Sequence, residues 1–139
     1  MSEPIDAEPA VTGPVIAIGW ATVELDRAAV ERADRLPPGS AFADAEPSEH
    51  LGAFCRVATG DAGSPAIVLL EPSTEGRLAA SLARHGEGWR ATWVAAVDAP
   101  PGDLSAERPG PLGPERLVLG GAVGGPYVLV TGTATIDRP

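Results

Sequence analysis

The segment from Ile67 to Trp93 constrains the fold of this chain more than any other part of it. Pro72 closes its first apolar run, Ser73 or Thr74 is suited to begin a helix, and Gly86 is suited to end one. The segment therefore predicts a strand, a helix and a second strand in the middle of the chain. These three elements are predicted at Ala66–Leu70, Glu75–Arg84 and Trp89–Val97.

The residues on either side of this segment carry further strand patterns and one helical pattern. Before it we predict a strand, a helix and two strands, and after it two short strands: Val15–Val23, Arg27–Leu36, Ser40–Ala45, Leu51–Ala58, Leu117–Leu119 and Tyr127–Val130. Asp26 is suited to cap the first helix. The span Asp98–Pro114 contains five prolines and cannot form a regular helix. The first half of the chain is therefore predicted to be β-α-β-β-β.

We predict one domain between two tails. Residues 1–13 are polar, acidic and proline-containing, which is typical of a disordered tail, and residues 134–139 form a second tail. The domain spans residues 14–133 and divides into a first module, 14–72, a linking helix, 74–85, and a second module, 87–133.

Composition excludes several classes of function. The net charge of −9, with a pI near 4.5, disfavours a nucleic-acid surface and binding to anionic membranes. The single cysteine, Cys55, excludes an intrachain disulfide. The amino terminus lacks the basic and apolar regions of a secretory signal, and no apolar run approaches the roughly 18 residues of a membrane span. These features predict a cytoplasmic protein with no membrane or nucleic-acid partner.

Three short motifs resemble the vicinal-oxygen-chelate superfamily, which includes glyoxalase I, methylmalonyl-CoA epimerase and bleomycin-resistance proteins. The run Leu69-Leu70-Glu71-Pro72 matches the "ELLEP" motif that ends the first module in that superfamily, and His85-Gly86-Glu87-Gly88 matches its "HGEG" motif. The stretch Val15–Ala28 is similar to the module opening "DHIGIAVxDLDxA". The resemblance implies an α+β fold of paired βαβββ modules, in which each module curls into a half-barrel and the two concave faces enclose a substrate cup.

The resemblance also implies a divalent metal at the centre of the cup, but the matching positions lack its ligands. The first-strand His of the superfamily falls on Ala17, the fifth-strand His on Ala91 and the last-strand Glu near Leu129. The Gln or Glu of the first module falls near His50 on one alignment and near Val68 on another. Because one imidazole cannot hold a catalytic divalent ion, we predict a degenerate metal site, with no metal and no cofactor.

A second departure from the superfamily is the helix that normally follows the fifth strand. The span Asp98–Pro114 occupies its place. We therefore predict that the second module is shortened and lacks its helix, and that the cup is open on one side or completed by a partner chain. A homodimer follows from the second alternative.

His50 is the candidate catalytic residue. If it projects into the cup, its imidazole can act as a metal-free general base near neutral pH. The alternative is an exposed histidine in a loop between Glu49 and Leu51.

Four further residues are candidates for ligand binding. Trp89, Ala91 and Trp93 share one face of a regular strand, so the two indoles would form a flat apolar platform beside the small Ala91. Arg56 and Arg90 lie in predicted strands and can bind a carboxylate or a phosphate of a ligand. The alternatives are that both Trp residues belong to the core or a dimer interface, and that both Arg residues face solvent.

These features leave three functions open. The first is a metal-free small-molecule-binding protein of the glyoxalase or bleomycin-resistance type, which sequesters an organic ligand in the cup. The second is a metal-independent isomerase, cyclase or lyase acting next to a carbonyl, with His50 as base and Arg56 or Arg90 as oxyanion partner. The third is a dimeric structural or regulatory protein without a ligand.

Overall fold

The computed structural model of the protein describes residues 14–60, 64–95, 104–119 and 126–131. These residues form seven strands, two α-helices and one short 3-10 turn. In chain order the elements are β1 (Val15–Ala21), α1 (Leu25–Arg32), the 3-10 turn (Ala33–Arg35), β2 (Ala43–Ser48), β3 (Ala53–Ala58), β4 (Ala66–Pro72), α2 (Arg77–His85), β5 (Gly88–Ala95), β6 (Glu115–Leu117) and β7 (Tyr127–Thr131).

Most predicted elements are present, and their boundaries differ for local reasons. The first helix begins at Leu25, two residues earlier than predicted, because the Glu71 carboxylate of β4 accepts a hydrogen bond from the Leu25 amide at 2.8 Å. The second strand lies at Ala43–Ser48 rather than at 40–45. It tolerates Pro47 because it is an edge strand with a register shift between Ala45 and Ser48.

One mixed sheet contains all seven strands, in the order β2-β3-β4-β1-β5-β7-β6. Two halves of this sheet repeat the same pairing. In the first half β1 pairs with β4 in parallel and β4 with β3 antiparallel. In the second half β5 pairs with β7 in parallel and β7 with β6 antiparallel. An antiparallel pairing of β1 with β5 joins the halves at the centre. The first half, with α1, is the predicted βαβββ module.

The sheet curls until its two edge strands meet at one end. Ser48 ends β2 at one edge, Glu115 begins β6 at the other, and their side chains are hydrogen-bonded at 2.7 Å. Next to this contact the Glu49 amide donates to the Pro109 carbonyl. The described chain thus closes one rim of its own cup.

The curled sheet has a distinct cluster of apolar side chains on each face. The inner cluster is the larger and contains Ala17, Ala21, Leu51, Ala53, Cys55, Val68, Leu70, Leu78, Ala91, Trp93, Leu117 and Leu129. The outer cluster joins α1 to the opposite face through Leu25, Ala28 and Leu69, with Trp20 beside them. Alternation along β4 explains the division, because Val68 and Leu70 point inward while Leu69 points outward.

Several predictions concern residues outside the described ranges. They include the two tails and the end of the domain at residue 133. They also include part of the span 98–114, which was predicted to lack a helix, so the shortened second module remains a prediction. Within the described ranges no helix is long and apolar enough to cross a membrane.

Candidate functional site

A carboxyl group lies buried inside the curled sheet. Glu115 opens the short strand β6 and has no solvent exposure. The Trp93 Nε1–H donates a hydrogen bond to Glu115 Oε1 at 2.9 Å, and the Ser48 hydroxyl donates to Oε2 at 2.7 Å. Both donors are themselves fully buried. Each carboxyl oxygen is therefore held in place by one neutral donor from a different strand.

The surroundings of Glu115 favour its neutral form. Burial raises the pKa of the Glu115 carboxyl, and the hydrogen bonds from Trp93 and Ser48 oppose that rise only in part. Within the described ranges no Arg or His forms an ion pair with it. Burying a charge without a counter-ion costs several kcal/mol even after relaxation, so an apolar residue would stabilise the fold better here.

Residues 104–114, which we call the strap, cover this carboxyl. The strap joins β6 through a pair of hydrogen bonds between the main chains of Arg108 and Glu115. At Gly110 it passes so close that a Cβ atom there would lie 2.0 Å from Glu115 Oε1. Only glycine allows this approach, because any other residue would collide with the carboxyl group.

His50 fastens the strap from the other side. It is buried, with its Nε2 3.0 Å from the Ala106 carbonyl, 3.2 Å from the Glu115 carbonyl and 3.2 Å from the Ser105 hydroxyl. Since carbonyl oxygens only accept hydrogen bonds, Nε2 carries a proton and donates. Burial lowers the pKa of the His50 imidazole, so the ring is held neutral. The predicted exposed-loop alternative is wrong, and Nε2 faces main-chain carbonyls rather than an open cup.

The two predicted platform indoles lie on opposite faces of the sheet. Trp93 belongs to the inner cluster, as does Ala91, but Trp89 pairs with Trp20 and contacts its ring edge-on at a centroid distance of 5.0 Å. The shared face predicted for the two residues is therefore wrong. A register shift between Gly19 and Trp20 breaks the regular alternation of β5 and turns Trp89 outward.

The two predicted arginines also lie apart from Glu115. Arg56 forms ion pairs with Asp26 and Asp44 at the surface. Arg90 donates to the main-chain carbonyls of Trp89 and Gly86. Of the residues proposed from the sequence, the structure brings only Trp93 and His50 to Glu115. The Trp93 side chain contacts its carboxyl group, and the His50 side chain contacts its main-chain carbonyl.

The positions at which the resemblance implied metal ligands lie together on the inner face. Ala17, Ala91, Val68 and Leu129 all belong to the inner cluster and are almost fully buried. The described ranges contain no group of three or more His, Cys, Asp or Glu side chains that could hold a metal ion. At these positions the inner face presents apolar side chains.

The glutamates of the two central motifs have structural roles. The Glu71 carboxylate accepts a hydrogen bond from the Leu25 amide at the start of α1. The Glu87 carboxylate accepts hydrogen bonds from the Thr22 hydroxyl, the Val23 amide and the Arg27 guanidinium. These hydrogen bonds lower the pKa of Glu87. Both carboxylates therefore hold the turn between β1 and α1 in place.

Glu115 is the site residue that sequence reasoning missed. The predicted strand began at Leu117, which is also buried. Extending that strand backward by two residues, with the alternation of a half-buried strand, places Glu115 on the same face as Leu117. A glutamate at a position that the alternation turns toward the core was the sequence signal for this buried carboxyl.

Comparisons with known proteins identify the fold. No protein-family model and no curated protein matches the chain. Among solved structures, methylmalonyl-CoA epimerase from Mycobacterium tuberculosis superposes with a TM-score of 0.64 at 21% identity, over 88% of this chain and 89% of that one. A variant of the Streptomyces coelicolor methylmalonyl-CoA epimerase, in complex with 2-nitronate-propionyl-CoA, gives 0.65 at 20% identity, over 91% and 99%.

A methylmalonyl-CoA epimerase in complex with methylmalonyl-CoA and NH4+ gives a TM-score of 0.66 at 19% identity, over 91% of this chain and 99% of that one. These proteins have the vicinal-oxygen-chelate fold, so the predicted fold is confirmed at the level of the curled mixed sheet with its βαβββ module. At such identities the likeness concerns the fold alone.

Proposed function

We propose that this protein is a metal-free small-molecule-binding protein that sequesters an organic ligand between its two β-modules. One observation carries the proposal: a fully buried carboxyl, Glu115, held by Trp93 and Ser48 inside an otherwise apolar cluster. Such a group destabilises the fold, and its two donors fix its orientation in advance. Ligand sites are mostly apolar with a few polar groups fixed in place, and Glu115 supplies one such group.

The strap supplies the route by which a ligand reaches this group. Glu115 is covered in the closed form, so binding requires the strap to move away from the rim where β2 meets β6. This movement breaks the contacts of the strap with the β2 side, which are the Glu49 amide with the Pro109 carbonyl, the Arg108–Glu49 ion pair, and His50 with Ala106. It also breaks the main-chain hydrogen bonds that join Arg108 to Glu115 and Ser105 to Leu117. An exposed ion pair such as that of Arg108 with Glu49 contributes about 0–1 kcal/mol.

The second candidate function is a metal-independent isomerase or lyase acting next to a carbonyl. The raised pKa of Glu115 favours it, because a carboxyl that titrates closer to neutral pH is a better general acid–base group. In such an enzyme Glu115 takes the role of general base that the sequence suggested for His50. Arg56 and Arg90, the predicted oxyanion partners, lie apart from the Glu115 carboxyl. The structural neighbours crystallised with CoA thioesters support a search among such substrates.

Native mass spectrometry of the purified chain, before and after incubation with an extract of its source cells, tests the binding function. We expect a metal-free protein that gains one discrete organic mass. As a blocked variant, Ala91→Leu fills the inner face beside Trp93 and should lose the added mass, whereas Val30→Ala, at a residue 76% exposed, should keep it. Circular dichroism confirms that both variants fold.

Three results of this experiment contradict the proposal. One tightly held divalent ion per chain would restore the metal-dependent function. An added mass that survives Ala91→Leu would place the ligand elsewhere. A dimer with no added mass under any condition would favour the structural or regulatory alternative, and the same spectra test the predicted homodimer.

Deuterium incorporation separates the enzyme from the binding protein. The chain is incubated in D2O with acyl-CoA thioesters and 2-oxo acids, and deuterium is measured at the carbon next to the carbonyl. Incorporation that Glu115→Gln abolishes and Glu46→Gln preserves would establish acid–base chemistry at Glu115, since Glu46 is an exposed carboxylate with the same charge. No incorporation with any substrate leaves the binding function as the better account.

A further inference from the structure

A cavity of about 300 Å³ lies between the chain that follows α1 and the ends of two neighbouring strands. It is lined by Ala58, the last residue of β3, and by Ile67, near the start of β4, and these two residues are paired in the sheet. Ile67 lies two positions before Leu69, which belongs to the outer cluster, so alternation along β4 places it on the outer face. The cavity is therefore on the opposite face of the sheet from the inner cluster and Glu115.

Main-chain contacts hold both walls of this outer cavity. On one side Pro37 lines it, where the Ser40 amide donates to the Pro37 carbonyl and the Ser40 hydroxyl donates to the Thr59 carbonyl at 3.2 Å. On the other side Gly60 lies so close to the start of β4 that a Cβ atom there would be 2.7 Å from the Pro65 carbonyl oxygen. The shape of the cavity is thus set by the folded main chain and not by side-chain positions alone.

The lining of the outer cavity is mostly apolar and contains one charged group. Its apolar side chains are those of Leu36, Pro37, Ala58, Pro65 and Ile67. Ser64 adds a hydroxyl, and Arg35 is the charged residue among those that line it. Sites for small molecules combine an apolar lining with a few polar groups, and their volumes begin at about 300 Å³. The outer cavity therefore suits a small ligand.

Arg35 has no acidic partner within the described ranges. The ion pairs there belong to Arg27, Arg56 and Arg108. Glu31, one turn before Arg35, is bound by Arg27 at 3.1 Å. Arg35 is left in this way although the chain has 19 acidic and only 10 basic residues. Because a guanidinium binds a carboxylate through two parallel hydrogen bonds, Arg35 can receive the carboxylate of a ligand.

A second guanidinium adds to the positive charge at this end of α1. Arg32 lies over the ring of Trp20, 3.8 Å from its centroid, and takes part in no ion pair within the described ranges. Burial, and then the charge of Arg35, lower the pKa of the Arg32 guanidinium, so the two cations are close enough to repel each other. An anion bound at Arg35 would offset this repulsion.

From these observations we propose that the outer cavity binds a small aliphatic carboxylate, which pairs with the Arg35 guanidinium and lays its alkyl chain against Leu36 and Ile67. The proposal adds a second site to the protein and does not depend on the ligand of the cup. The two sites are on opposite faces of the sheet, so each can be present without the other.

Probes that separate charge from apolar contact test this proposal. Hexanoate carries the carboxylate, hexanamide is its neutral counterpart of equal length, and acetate has the charge without the chain. Binding is followed by NMR through the Cδ1 methyl signal of Ile67, identified by its loss in Ile67→Val. We expect hexanoate to bind at least about tenfold more tightly than either of the others, which corresponds to about 1.4 kcal/mol.

Two arginine variants provide the matched comparison. Arg35→Gln should remove the preference for hexanoate over hexanamide, and Arg84→Gln, at an exposed position near the end of α2, should keep it. Both side chains are exposed, so both variants should fold, which circular dichroism verifies. Ala91→Leu, which fills the inner face, should leave the binding of hexanoate unchanged.

Four outcomes overturn the proposal. They are no shift of the Ile67 signal with hexanoate, equal affinity for hexanoate and hexanamide, a preference for hexanoate that survives Arg35→Gln, and loss of hexanoate binding in Ala91→Leu, which would place the carboxylate in the cup. The function of the cup is judged separately by native mass spectrometry, and its failure would leave the result for the outer cavity unchanged.

Discussion

Replacing Trp93 by Phe removes the indole N–H that binds Glu115 Oε1 and leaves a buried carboxyl oxygen without a donor. The change therefore tests whether this contact orients the carboxyl or merely accompanies core packing. Its matched partner is Glu115→Leu, which removes both carboxyl oxygens, and the double variant lacks donor and acceptor together. Trp89→Phe is the control, because that indole is 43% exposed and lies on the outer face.

The structure sets the expected size of each loss of stability. A hydrogen bond to a charged group contributes about 1.5–3 kcal/mol, and the smaller Phe ring leaves a cavity that costs about 1 kcal/mol more. At a pH above the folded-state pKa of Glu115, where the carboxyl is ionised, Trp93→Phe should therefore lower the free energy of unfolding by about 2.5–4 kcal/mol. In the Glu115→Leu background the same substitution should cost only the cavity contribution, so the coupling energy between Trp93 and Glu115 is about 1.5–3 kcal/mol.

Urea unfolding of the four proteins of the cycle, followed by circular dichroism, measures this coupling. Trp89→Phe should show no coupling to Glu115→Leu. At a pH low enough to protonate Glu115, the coupling between Trp93 and Glu115 should fall to about 1 kcal/mol, the value for a neutral pair. A coupling below about 0.5 kcal/mol at a pH where Glu115 is ionised would refute the role of Trp93 as an orienting donor.

Four further results are expected. Burial raises the pKa of Glu115 above 4.5, so the protonated carboxyl contributes to stability below pH 4.5, and this contribution is lost as pH rises through the pKa of the folded state. In urea titrations at several pH values, Glu115→Gln should abolish that loss. The pKa of His50 is lowered below 6.5, so the neutral imidazole contributes to stability above pH 6.5, and this contribution is lost as pH falls through the pKa of the folded state. If His50→Gln loses stability at acidic pH just as the unaltered protein does, the prediction is wrong. Gly110→Ala should cost about 1–3 kcal/mol in thermal unfolding by crowding Oε1, and Glu115→Asp should recover part of it. Glu71→Ala should cost about 0.5–2 kcal/mol by removing the acceptor for the Leu25 amide, and an equal loss in Glu71→Gln, which keeps an acceptor, would count against that role.

Local patterns predicted the elements because short-range chemistry decides them. The alternation of β4, the helical stripe of α2 and the glycine that ends it are all visible in neighbouring residues, and each lies within a few positions of its predicted place. The motif glutamates, Glu71 and Glu87, were matched from their sequence context alone. Their hydrogen bonds to the turn before α1 required the folded chain, because the partners are more than 40 residues away in sequence.

The candidate site could not be predicted in the same way, because contacts across the whole sheet decide it. Trp89 was assigned to the wrong face because a strand in isolation alternates regularly, while the real β5 adjusts its register to β1. His50 was recognised as a candidate, yet its partners belong to a strap more than 50 residues later.

The sequence by itself determined the order of strands and helices, the resemblance in three motifs, and the apolar residues at Ala17 and Ala91, since these are properties of single residues and their neighbours. Only the tertiary structure decided that Ser48 and Glu115, at opposite edges of a seven-stranded sheet, meet inside it. The physical reason is the curl of the sheet. It brings the two edges together and removes Glu115 from water, which turns an ordinary glutamate at the start of a short strand into a buried, oriented carboxyl.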